Sequence, residues 1–75
     1  MKYMDTEKEI CVGDKVRYAG SPGVIVFVIE DDSYSDQYPK DNWSYLGQGL
    51  GIELQDQTRT LYCLDLPDED LEPIN

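Results

Sequence analysis

The chain has 75 residues, with 6 lysines and arginines against 16 aspartates and glutamates, no histidine and 2 cysteines, for a formal net charge of −10. A chain this short forms one domain with one core and buries roughly 60% of the surface its unfolded form exposes. The charge repels nucleic-acid backbones and acidic membrane surfaces and makes a basic protein the natural partner.

Residues 1–10 carry charge throughout and little apolar content, so a flexible N-terminal tail is expected, without the apolar stretch of a secretory signal. No run of the chain is long enough to span a bilayer as a helix. A cytoplasmic protein is expected, with Cys11 and Cys63 as buried free thiols and a bridge between them as the alternative. Without histidine or a C-x-x-C pair, a zinc site of the usual kind would lack ligands.

A single domain is predicted over 11–75. Gly13 and Asp14 signal a turn, after which Lys15 to Tyr18 alternates, with Val16 and Tyr18 on one face and Lys15 and Arg17 on the other. Ala19 to Gly23 reads as a tight loop in which Pro22 presets φ. Val24 to Ile29 is the longest apolar run and reads as a central strand with both faces covered, one by the core and one by a loop or a partner.

The 20 residues from Glu30 to Gly49 form a long insertion between the second and third strands. It combines Glu30, Asp31, Asp32, Asp36 and Asp41 with Tyr34, Tyr38, Trp43 and Tyr45. Loops longer than about 12–15 residues are generally functional or disordered, and rings in this number argue for order. Pro39 to Trp43 is predicted to make one helical turn. Beyond it, Gly51 to Gln55 points Ile52 and Leu54 inward and Glu53 and Gln55 outward, Asp56 to Thr58 turns, and Arg59 to Leu64 returns as a strand. Pro67 to Leu71 suggests a short 3₁₀ or helical turn with Leu71 plugging the end of the core, and Glu72 to Ile74 a short edge strand, a place Pro73 suits.

G-D-K-V from Gly13, G-x-x-G-V-I-x-x-V from Gly20, and I-E-L-x-D from Ile52 followed by Tyr62 and D-L-E-P-I from Asp70 together resemble SH3-like small barrels, in particular KOW, CAP-Gly and tudor-like domains. The resemblance covers residues 11–74 apart from the 30–49 insertion. It implies an all-β, SH3-like small barrel of about five antiparallel strands with a long ordered insertion between strands 2 and 3. The same frame hosts RNA, peptide and protein binders. The acidic loops here depart from the basic loops of KOW-type nucleic-acid binders, and rings gathered in one insertion depart from a tudor-like cage. By size, charge and the Y-x-x-x-Y-P-x-x-x-W-x-Y pattern from Tyr34, the chain also resembles the small bacterial immunity proteins that accompany Rhs-type and contact-dependent toxins.

No enzyme, cofactor or metal is expected: the carboxylates lie in solvated turns with no poised nucleophile, and residues 31–36 lack the glycine and closing glutamate of an EF-hand loop. Acids beside rings make an interface instead, with aromatic anchors at a desolvated centre and an acidic field that speeds encounter about 10- to 1,000-fold. Asp31, Asp32, Asp36 and Asp41 would steer, and Tyr34, Tyr38, Trp43 and Tyr45 would bind. Packing of the same rings over the Val24 to Ile29 strand is the structural alternative. The expected function is an acidic immunity protein that occludes a basic toxin or nuclease; the alternative is a regulatory or adaptor module that binds a peptide or protein domain.

Overall fold

A computed structural model describes residues 1–4 and 6–74. Asp5, within the expected tail, and Asn75, at the end of the expected domain, lie outside the described residues. The architecture is all-β, mostly antiparallel sheet with one short helix. Strands β1 (Lys15–Tyr18) and β2 (Ser21–Val28) form a hairpin, β3 (Ser33–Tyr34) pairs with the end of β2, and a helical turn α1 (Lys40–Trp43) runs into a 3₁₀ turn at Ser44–Leu46. Strands β4 (Leu50–Leu54), β5 (Leu61–Leu64) and β6 (Leu71–Pro73) complete the sheet, in the order β5-β4-β2-β1-β6.

The β1–β2 connection is tighter than the loop expected over 19–23. Ala19 and Gly20 both take positive φ, 51° and 87°, as the central pair of a two-residue hairpin turn with the handedness that twisted strands favour. Pro22 therefore lies inside β2, opposite Arg17. It is tolerated because antiparallel alternation turns its missing donor away from β1, beyond the end of β4, where its carbonyl accepts from the Gln55 N–H at 2.9 Å.

Strand β2 is buried on both faces because its pairing with β4 slips at Val26. Ile25 faces Ile52 and Phe27 faces Gly51, so one extra residue sits between two successive cross-strand pairs. The bulge lets Ile25 and Val28 both enter the core while Phe27 points to the opposite face. The core on the concave side consists of Tyr3, Ile10, Val16, Ile25, Val28, Leu50, Ile52, Leu54 and Leu71. No pairing joins β5 to β6 among the described residues, so the sheet is open. It still curls: Tyr18 on β1 and Tyr62 on β5 stand three strand spacings apart, about 14 Å in a flat sheet, yet their ring centroids are 5.6 Å apart.

One expectation is corrected at the N-terminus. The stretch expected as a flexible tail is a packed hairpin: Lys2 bridges to Glu9, Ile10 N–H donates to the Met1 carbonyl at 2.8 Å, and Tyr3 and Ile10 are each 1% exposed. Tyr3 and Ile10 join the main core cluster and half-buried Met1 packs against it, so apolar burial holds the hairpin down. After β5, Leu71 N–H donates to the Asp68 carbonyl at 3.1 Å, the i→i+3 bond of a single 3₁₀-type turn, and Leu71 fills the core, both as expected.

The N-terminal hairpin makes the fold testable. Tyr3→Ala is expected to lower stability in urea unfolding by about 3–5 kcal/mol, the cost of deleting a buried ring, which rivals the whole stability of a small domain. Tyr3→Phe, which loses the 2.9 Å bond from the Tyr3 hydroxyl to Asp14 Oδ2, is expected to lose about 1 kcal/mol. A loose tail would leave both variants indistinguishable from wild type.

Candidate functional site

The insertion is folded down onto the outer face of the sheet, and one ring organises it. Phe27 is fully buried, lies on the convex side, and has Trp43 stacked on it at a centroid distance of 5.3 Å and an interplanar angle of 20°. Tyr34 stacks on Phe27 at 6.3 Å, Tyr38 packs against it at 6.3 Å with a tilt of 47°, and Tyr38 meets Trp43 at 5.6 Å. Each ring has a different anchor. Tyr34 is held by β3 pairing with β2, Tyr38 by its N–H donating to the Ser35 carbonyl at 3.0 Å, and Trp43 by the helical turn that follows Pro39.

Beneath the cluster lies Gly51 of β4, directly opposite Phe27. A Cβ at Gly51 would enter the Phe27 ring, closer than any van der Waals contact permits. The glycine is required by the close approach of an aromatic across the strand pair, a use that a glycine inside a strand often signals. Phe27 is the site residue that the sequence reading missed, and Gly51 in an otherwise apolar strand is the signal that points to it.

Glu53 is the second. It faces outward as expected yet is 8% exposed, because the insertion covers it, and the Tyr38 hydroxyl donates to its Oε2 at 2.7 Å. Burial, followed by the hydrogen bond and charge of Glu53, pushes the Tyr38 phenol up to about 12, with Arg59 acting in the opposite direction. Burial also raises the Tyr3 phenol, reinforced by Asp14. The insertion is closed at its base by Glu30, whose Oε1 accepts from the Gly49 N–H at 2.8 Å.

The residues predicted to bind a partner divide into groups. Tyr34, Tyr38 and Trp43 form the covering cluster and are half-buried, whereas Tyr45, in the 3₁₀ turn, is 76% exposed and stands apart from the rings. Asp31 lies 3.4 Å from the Met1 amino group, and Asp32, at φ 54°, accepts an ion pair from Lys40 Nζ at 2.9 Å. Asp36 and Asp41 are exposed and, among the described residues, have no ion-pair partner. The structure thus joins three of the four rings to one another and spreads the acids around them.

Both cysteines are free and exposed, which corrects the expectation of buried thiols. Cys63 is on an edge strand opposite Gly51, where β5 has a neighbour on one side alone, and Cys11 precedes the turn at Asp14. No group of three or more histidine, cysteine, aspartate or glutamate side chains among the described residues is arranged to hold a metal ion. No helix among them is long and apolar enough to cross a membrane. No protein-family model matches the chain, and no curated protein and no solved structure is detectably similar to it.

Two variants test this site. Tyr38→Phe keeps the ring but leaves Glu53 without its hydroxyl donor, so a loss of about 1–3 kcal/mol is expected in chemical denaturation at neutral pH. The pH dependence has a definite sign. A phenol held protonated by the fold contributes fully below its ordinary value of 10, and the contribution is lost as pH rises from 10 through about 12. Alkaline titration should therefore show falling stability in that window, shallower in Tyr38→Phe, with the Tyr3 share remaining. Gly51→Ala should destabilise by about 1–3 kcal/mol through overpacking and shift the aromatic near-ultraviolet circular dichroism of the cluster.

Proposed function

We propose that the protein is a non-enzymatic protein-binding domain, an acidic immunity-type inhibitor acting in the cytoplasm that occludes a basic toxin or nuclease, built on an SH3-like small-barrel frame. Support for the frame comes from the strand order, in which a short last strand returns to pair with β1, and from the curl that brings Tyr18 to Tyr62. Support for the function comes from one observation above the rest. The rings of the insertion are anchored on Phe27, so the segment is an ordered platform that carries Asp36, Asp41 and Tyr45 on its solvent side. With a formal charge of −10, the surface complements a cationic cleft, and acidic side chains held in place steer encounter without an ordering cost at the moment of binding.

A second reading, an adaptor that recognises a peptide, has one observation in its favour. An open groove of about 360 Å³ lies between Lys15, Pro22, Gly23, Val24, Gln55 and Ile74, none of them a residue of the insertion. An adaptor would bind there weakly and with little dependence on Asp36 and Asp41.

The two are separated by variants that leave the ring cluster intact. Trp43→Ala is a poor probe, because it strips the stacking partner of Phe27 and costs stability. Asp36→Lys with Asp41→Lys, and separately Tyr45→Ala, should leave urea unfolding within about 0.5 kcal/mol of wild type. In the inhibitor reading the double variant loses the cationic protein that wild type captures, and association with that protein slows by about tenfold or more. Equal association rates for wild type and the double variant would remove the inhibitor reading.

A further inference from the structure

The two edges of the sheet are built differently. Edge strand β6 is three residues long, carries Glu72 and ends in Pro73, which has no N–H to offer, features that blunt an edge against pairing. Edge strand β5, Leu61–Leu64, reads Leu-Tyr-Cys-Leu, with no charge, proline or bulge. Its backbone has pairing capacity left over. Leu54 N–H donates to the Thr60 carbonyl at 2.8 Å, so by antiparallel alternation Thr60, Tyr62 and Leu64 turn their amides toward β4. The N–H and C=O of Leu61 and Cys63 then point away from the sheet, and no strand among the described residues lies on that side.

The side chains along this edge are apolar and the flanks are acidic. Tyr62 is 45% exposed and Leu66 69% exposed, while Asp56 precedes the strand and Asp65 follows it. Arg59, near enough to act on the Tyr38 phenol, is the cation at the start of this strand. The edge is continuous with the proposed interface: Cys63 pairs with Gly51, on which Phe27 rests, and Leu61 pairs with Glu53, which Tyr38 holds.

We propose that β5 is a docking edge that accepts an extended segment of a cationic partner protein as an added strand, with apolar residues at the centre of that segment and basic residues at its ends. The outward amides of Leu61 and Cys63 supply main-chain hydrogen bonds, and the rows beside them supply side-chain contacts on both faces of the added strand. Asp56 and Asp65 receive the basic ends. A second copy of this chain would meet the same edge but brings its own formal charge of −10, so charge complementarity favours a basic segment. The inference takes the sign of the partner's charge from the proposed function and the mode of docking from the edge itself.

The test uses the full chain and two synthetic hexapeptides with alternating valine and threonine at the centre, one with a lysine at each end and the other with a glutamate. Residue-resolved amide exchange is expected to slow about tenfold at Leu61 and Cys63 on saturation with the lysine-ended peptide, with β6 unchanged and the glutamate-ended peptide without effect. Cys63→Pro removes an outward donor but no bond to β4, and should weaken the lysine-ended peptide at least fivefold or so. Should that variant fold poorly, Leu61→Lys, which places a like charge beside the added strand, should weaken it similarly. Absence of protection by either peptide, equal protection by both, or edge amides already protected in a dimer of this chain overturns the proposal. Peptide protection that survives in Asp36→Lys with Asp41→Lys, alongside unchanged partner association in that variant, would retain the edge and reject the inhibitor reading.

Discussion

The contact between the Phe27 ring and the bare backbone of Gly51 is the constraint on which the rest of the molecule depends. It exists because the extra residue at Val26 re-aims the strand, sending Phe27 outward while Ile25 and Val28 remain inward. A ring lying flat on a sheet must be covered, or a large apolar surface stays in water at a cost of about 25 cal/mol per Å². The insertion provides the cover. Trp43, Tyr34 and Tyr38 give the chain a second hydrophobic cluster on the face opposite the main core, and the central strands β2 and β4 become buried on both sides. For a chain with room for one small core, this doubles the use made of each central strand.

The acidic side chains divide according to the work they do. Asp14 accepts from the Tyr3 hydroxyl and from the Cys11 N–H, Glu30 from the Gly49 N–H, Glu53 from Tyr38, and Asp56 and Asp68 from backbone amides in the turns on either side of β5. These carboxylates act as acceptors for donors that a short chain with little regular structure would otherwise leave unpaired. Asp36 and Asp41 are exposed and accept no such bond among the described residues. Self-repulsion from a charge of −10 opposes the compact state, so acids without an internal bond to make are a net cost to folding. They sit instead on the exposed surface of the segment whose rings are anchored on Phe27.

The strands were largely legible. Alternation from Lys15 to Tyr18 assigns its faces correctly, Ile52 and Leu54 point inward, and Leu61 and Cys63 share one face against Tyr62 and Leu64. The covering of the Val24 to Ile29 run by rings of the insertion was legible too, because an apolar run on both faces demands a second partner. The N-terminal hairpin was not. Tyr3 and Ile10 stand in a charged stretch with too few apolar residues to define a strand or a helix face, and their burial is decided by contacts with core residues far along the chain. Glu53 was read as outward, which it is, but its burial went unseen because alternation reports the face and is silent on what lies over that face.

The chain's own residues thus determine an acidic all-β domain, the position of its strands and the concentration of rings and acids in one segment, since period, turn chemistry and charge are local properties. Tertiary structure alone decided which ring is the anchor, which acids are bonded inside and which remain outside, and which edge is left unprotected. Those outcomes follow from a one-residue slip in the pairing of β2 with β4 and from the curl of the sheet, and both are settled by packing between segments far apart in sequence.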